Sequence, residues 1–230
     1  MVARDYRTAQ VFKKHHIDFC CKGNRTLEEV AQKQPIDLDG LRREINAVQA
    51  QAPQGQMDFA SWSADLLADY IEKKHHRYVA QQLPVLKEYL DKVTRVHGAA
   101  HPELKEINAL FTASAGELAM HMKKEELILF PYIRKMVQAQ QQGETPGVPR
   151  FGTVKNPIAT MQHEHDNEGE RFRQIAKLSA QYTPPPDACA TYKVSFALLR
   201  EFEEDLHQHI HLENNILFPK AEALEDRLKA

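Results

Sequence analysis

An eleven-residue stretch, His121-Met-Lys-Lys-Glu125-Glu-Leu-Ile-Leu-Phe-Pro131, returns 88 positions later as His209-Ile-His-Leu-Glu213-Asn-Asn-Ile-Leu-Phe-Pro219. The histidine, the glutamate and the Ile-Leu-Phe-Pro tail coincide. On a helix, residues four apart project from one side a turn apart, so each copy offers a nitrogen and an oxygen donor to one metal centre. An earlier histidine accompanies each copy: His76 lies 45 residues before His121, and His165 lies 44 before His209. Two consecutive halves thus bring four imidazoles and two carboxylates.

Whether such donors can meet depends on the fold. After Ser61 the chain breaks at Gly98 and Pro102, at the Gly-Glu-Thr-Pro-Gly-Val-Pro run around Gly147, and at Thr183-Pro-Pro-Pro186-Asp187. These breaks delimit four helical segments, about 61–95, 103–140, 155–181 and 187–227. Two of the connections are short, which favours antiparallel neighbours and predicts an all-α, up-down-up-down four-helix bundle. In the second segment Leu104, Ile107, Phe111, Ser114, Leu118, His121, Glu125, Ile128 and Tyr132 keep the 3, 4 spacing of an inward seam. Tyr192, Ser195, Leu199, Phe202, Leu206, His209, Glu213 and Ile216 do the same in the fourth. The third places His165 inward with Ile158, Met161, Phe172 and Ile175, and the first places His76 with Val79, Leu83, Leu86 and Leu90. By the same reading His75, His163, His207 and His211 fall off the seams, and His207 and His211 are expected to be exposed. His15, His16, His97 and His101 fall in helix ends or loops and are expected to be solvated. At 1.5 Å per residue, His76 lies roughly 30 Å and His121 roughly 27 Å from the connection between their helices, so the two can meet.

Residues 1–50 read as a small helical domain, with the capping-box pattern Thr26-Leu-Glu-Glu29 starting its second helix and Asp37 or Asp39 available to cap the third. Residues 51–60, rich in Gln with Pro and Gly, read as a linker to the bundle at 61–230. A net charge of −2 without a basic run points away from nucleic acid and membrane surfaces. The polar N-terminus and the absence of an apolar run of about 18 residues make the cytoplasm the expected compartment. Three cysteines are too few for a disulfide framework. Two of them, Cys20 and Cys21, are adjacent beside Lys22 in a turn: they read either as partly ionised thiols for redox or partner chemistry, or as packing against Phe19.

Burying two carboxylates and four imidazoles in an apolar bundle costs several kcal/mol for each uncompensated charge, so the pattern calls for cations. Two divalent ions sharing both glutamates, each with two histidines, satisfy the donors and leave coordination positions open. Mixed nitrogen and oxygen ligation without thiolate suits iron or manganese better than a closed zinc site. Iron is the first expectation. Pro131 and Pro219 are expected to end or kink their helices. Glu164, beside His165, reads as a carboxylate that supports the site or lines its access, or else as a solvated charge.

At these residues the chain resembles the hemerythrin-like di-iron proteins and, within them, the repair-of-iron-centres family of bacterial iron-sulfur cluster repair proteins. The Asp18-Phe-Cys20-Cys21-Lys-Gly23 segment is similar to the family's N-terminal double-cysteine domain of the ScdA type. Gln82-Leu-Pro84, Glu164-His165-Asp166 with Gly169-Glu170, both His-x-x-x-Glu segments and Thr183-Pro-Pro-Pro186 also resemble family segments. The resemblance implies a non-haem di-iron centre, oxo- or hydroxo-bridged, held by His76, His121, Glu125, His165, His209 and Glu213. It further implies repair of iron-sulfur clusters damaged by nitrosative or oxidative stress, with damaged iron-sulfur proteins as partners in a monomer or homodimer. Related proteins imply the alternatives: a scavenger or sensor of nitric oxide or dioxygen, or a nitric oxide reducing enzyme.

Overall fold

The computed structural model describes residues 1–23, 25–50 and 57–229. Three short helices, Thr8–Lys14, Leu27–Ala31 and Leu38–Ala50, form an N-terminal unit. The capping box starts the second: the Thr26 side chain accepts from the Glu29 backbone N–H at 3.1 Å, and the Thr26 N–H donates to the Glu29 carboxylate at 2.7 Å. Most of the linker expected at 51–60 lies outside the described residues; Phe59–Ser61 is a single 3₁₀ turn.

Four long helices follow, and no strand occurs among the described residues. The first runs as Ala64–Tyr70, a π turn Ile71–His76 and Arg77–His97. The second runs as Glu103–Lys124, a π turn Glu125–Leu129 and Phe130–Gln142, and the third is Lys155–Leu178. The fourth is Ala190–Leu212, a π turn Glu213–Leu217 and Phe218–Lys229. The first and third helices each pack against the second and fourth, giving the antiparallel four-helix bundle.

Of the two outcomes expected of the prolines, ending does not occur: the helices continue through both as Phe130–Gln142 and Phe218–Lys229. Proline lacks an N–H, and its ring clashes with the carbonyl four residues back. The turn ahead of each proline widens instead: the Phe130 N–H donates to the Glu125 carbonyl, and the Phe218 N–H donates to the Glu213 carbonyl, five residues back in both copies. Such a turn adds one residue to the helical ladder and shifts the seam by one position. Ile128, expected inside, is therefore 49% exposed, while Leu129 at 1% takes its inward place. In the second copy Ile216 is buried beside Leu217, because it borders Val2, Ala3 and Phe59.

The buried apolar side chains fall into two clusters, one at each end of the bundle. Between them lies a polar layer. Along the first helix Ile71 belongs to one cluster and Val79 to the other, with His76 between; Leu118 and Leu129 flank His121 and Glu125; Met161 and Phe172 flank His165; Leu206 and Leu217 flank His209 and Glu213. The fold thus stacks its ionisable donors at one level.

The N-terminal unit docks on the third and fourth helices. Asn215 donates to the Cys20 carbonyl at 3.1 Å, Lys13 pairs with Glu204 at 3.0 Å, and Arg173 pairs with Asp18 at 3.0 Å. Two glycines permit the close approach: a Cβ on Gly169 would meet Cys21 Sγ at 2.9 Å, and one on Gly23 would meet Asn215 Oδ1 at 2.8 Å. This docking overturns the expectation that His207 and His211 are exposed. His211 is buried between Tyr6 and Phe19, and His207 is half-buried against Phe19. Burial holds both imidazoles down to about 4. Helical periodicity assigned that face to solvent because it carries no information about a unit that covers the helix from outside.

Candidate metal centre

Two groups of four donors converge in the polar layer. His76, Glu125, His209 and Glu213 form one, which we term position A; His121, Glu125, His165 and Glu213 form the other, position B. Within each group the donor atoms all lie within 4.8 Å of one another, and both glutamates belong to both groups. Glu125 Oε2 is 3.3 Å from His76 Nε2 and 3.3 Å from His121 Nε2. Glu213 Oε1 is 2.9 Å from His209 Nε2, and Glu213 Oε2 is 3.1 Å from His165 Nε2. The structure therefore brings together all six residues selected by spacing.

The outward nitrogens set the tautomers. His76 Nδ1 lies 3.1 Å from Glu126, His121 Nδ1 lies 2.8 Å from Glu164, and His165 Nδ1 lies 2.9 Å from Asn214. An Nδ1–H donating to each of these oxygens leaves the Nε2 lone pair pointing inward, the arrangement that supports metal-bound histidines. His121 Nε2 and His165 Nε2 then face each other at 3.1 Å as two lone pairs, which a shared cation relieves. Both carboxylate oxygens of Glu125, Oε2 of Glu213 and Nε2 of His76 are buried without a hydrogen-bond partner. Orphaned acceptors in a buried layer cost about 1–3 kcal/mol each, more when charged, and a cation satisfies them together.

In the metal-free chain protons take over this role. Burial opposes a charged imidazolium at His76 and His121, yet the two facing carboxylates outweigh it and push both up to about 10. Burial would likewise raise the Glu213 carboxyl, but His209, His165 and His76 hold it well below the usual carboxylate range. Glu164 is pulled down to about 2 by its bond to His121, with Lys124 adding to the effect across an ion pair. The donor chemistry, nitrogen and oxygen without sulfur, fits iron, and four protein donors per position leave an octahedral ion incomplete.

Glu164 thus sits on a donor histidine. Spacing missed Glu126, Asn214 and His75. The first two carry a signal in the repeat, because each directly follows its shared glutamate and each orients the earlier histidine of its own half. His75 is fully buried rather than turned outward: its Nδ1 lies 3.0 Å from Asp205, and its ring stacks on His209 at 5.6 Å. The π turn that ends at His76 places both neighbouring imidazoles inside. His163, read as off the seam, is exposed, and so is His16 among the four histidines expected in solvent. His97 lies 3.2 Å from Cys189 Sγ, His101 lies 3.0 Å from Asp187, and His15 lies 3.3 Å from Glu44.

No helix among the described residues is long and apolar enough to cross a membrane. Residues 67–221 match the hemerythrin HHE cation binding domain, and residues 1–49 match ScdA_N, a domain of unknown function. The chain is 36% identical over 215 residues to an iron-sulfur cluster repair protein YtfE of Yersinia pestis, covering 94% of this chain and 91% of that protein. The corresponding protein of Yersinia pseudotuberculosis serotype O:1b is 36% identical over the same shares of the two chains. A helical bundle with this cation-binding layer, joined to this N-terminal domain, belongs to the hemerythrin HHE family and, within it, to the family of the iron-sulfur cluster repair proteins.

Proposed function

We propose that this chain holds two iron ions, one at each position, and works in the cytoplasm to restore iron-sulfur clusters damaged by nitric oxide or oxidants by supplying iron. The observation that carries this reading is the pair of four-donor groups sharing Glu125 and Glu213, in a chain similar to proteins named for cluster repair. His76, His121, His165 and His209 supply neutral donors, and the two glutamates supply all the anionic charge within the groups. Di-iron carboxylate sites built from four glutamates and two histidines hold their metal with more negative charge. A less anionic layer binds ferric iron less tightly, which suits a site that must give its metal up.

The test is reactivation of an iron-sulfur enzyme whose cluster has been damaged by nitric oxide. Iron-loaded protein should restore activity, and the Glu125→Leu variant treated with the same iron should not. Equal recovery with both overturns the reading. A second reading, reversible binding of a diatomic ligand, is favoured by a cavity of about 630 Å³ bordered by His121, Glu164 and His165. Stoichiometric nitric oxide uptake with full retention of iron and no repair would select it.

A further inference from the structure

Outside the polar layer, one other cluster of metal-binding side chains occurs among the described residues. Asp18, Cys20 and Cys21 place a carboxylate oxygen and two thiol sulfurs within 4.8 Å of one another. The sulfurs are 3.7 Å apart and unbonded, and Cys20 Sγ is 3.4 Å from Asp18 Oδ1. Asp18 Oδ1 also accepts from the backbone N–H groups of Cys20, Cys21 and Lys22 at 3.2, 2.9 and 3.3 Å, which fixes the turn that presents both sulfurs on one side. Asp18 Oδ2 already carries a cationic group, the Arg173 guanidinium at 3.0 Å.

The turn is seated directly on the centre. The Cys21 thiol donates to the main-chain carbonyl of His165 at 3.3 Å, above the notch left by Gly169. Asn214 joins the two sites: its Oδ1 accepts from His165 Nδ1 at 2.9 Å, and its Nδ2 donates to the Cys20 carbonyl at 3.4 Å. A cavity of about 220 Å³ bordered by Asp18, Cys20, Arg173 and His207 leaves room for an ion to reach the cluster.

We infer that Asp18, Cys20 and Cys21 form a second metal site, of thiolate character, for one thiophilic divalent cation such as ferrous iron or zinc. Two thiolates with a carboxylate favour softer ions than the histidine and glutamate layer does. On binding, two S–H bonds break, two metal–sulfur bonds form and two protons leave to solvent; no electron changes hands. The incoming ion displaces Arg173 from Asp18. Use of the site as a way station for iron leaving position B rests on the iron-supply reading above; the site itself does not.

Cobalt(II) is the probe, added without oxygen to the full-length, iron-loaded chain carrying Cys189→Ser so that no third thiol contributes. One equivalent should bind with a near-ultraviolet sulfur-to-cobalt charge-transfer band. Replacing both Cys20 and Cys21 with serine should abolish the band, and Asp18→Asn, which keeps the backbone-accepting oxygen, should weaken binding by about tenfold. The iron absorption and circular dichroism report whether each variant remains folded, and Asp18→Asn keeps the test decisive if the serine variant does not. The absence of a band in folded protein, or a band that survives both serines, overturns the site. Chelator-driven release of iron from the loaded protein separates the second claim: slower release in the double-serine variant supports transit, and unchanged release overturns transit while leaving cobalt binding intact. Neither readout depends on cluster repair.

Discussion

The two copies of the repeated segment are alike inside the bundle and unlike outside it. In each, a histidine and a glutamate face the polar layer, a π turn begins at the glutamate, and the N–H before the proline closes that turn on the glutamate carbonyl. The residue after each glutamate, Glu126 or Asn214, orients the earlier histidine of its half. Outside, the copies diverge. His211, Asn215 and Ile216 lie under the N-terminal unit, whereas their counterparts in the first copy include Leu127 and Ile128, 71% and 49% exposed. A local code fixes how a segment presents donors to the core, but what covers its other face is a matter of tertiary partnership.

The largest expected effect tests the inner likeness. Because Glu125 and Glu213 each serve both positions, Glu213→Gln should remove metal from both and leave well under half of the wild-type iron per chain, as measured by elemental analysis. His76→Ala should affect position A alone and retain about half. Equal losses from the two variants would break the shared-glutamate geometry.

The outer contrast can be broken at one repeat position. Ile216→Asp places a charge in a buried site and should destabilise the fold by about 3 kcal/mol or more in denaturant melts. Ile128→Asp, its equivalent by sequence, should stay within about 0.5 kcal/mol of wild type because its side chain already meets water. Similar losses at both would mean that the π turn does not turn Ile128 outward.

A smaller effect separates the two orienting residues. Glu126→Ala and Asn214→Ala should each lower metal affinity by about 10- to 100-fold, as partners of donor histidines generally do. Only Asn214→Ala should also loosen the N-terminal unit, because Asn214, unlike Glu126, donates to the Cys20 carbonyl. Hydrogen exchange over residues 1–50 distinguishes the two.

The smallest expected effect is on pH dependence. His207 and His211 ordinarily titrate near 6.5 and are held down to about 4 beneath the N-terminal unit. The unfolded or undocked chain therefore binds more protons between those values, so docking stability rises with pH there. It is complete above about 6.5 and is lost as pH falls toward about 4. Limited proteolysis of the N-terminal unit at pH 7 and pH 5 should show the change, and His211→Gln should flatten it.

Much of the centre is legible without coordinates. The repeat picks out His121, Glu125, His209 and Glu213, and the seam rhythm selects His165 and His76, because a bundle helix can turn only one stripe inward. The two residues that the rhythm misplaced share a cause. Ile128 is misplaced because the rhythm assumes a constant 3.6-residue turn, and the residue added ahead of Pro131 breaks that assumption. His75 is misplaced by the π turn ending at His76.

Spacing and residue type alone determined the helical class, the six inward donors and the need for cations, since these follow from periodicity and from the cost of burying charge. Only the tertiary structure decided that both glutamates belong to both groups, that Glu126, Glu164 and Asn214 orient the imidazoles, and that the double-cysteine turn sits against His165. Those facts depend on distances between segments far apart in the chain. A helix's own rhythm can say which way a side chain points, but it cannot say what it meets there.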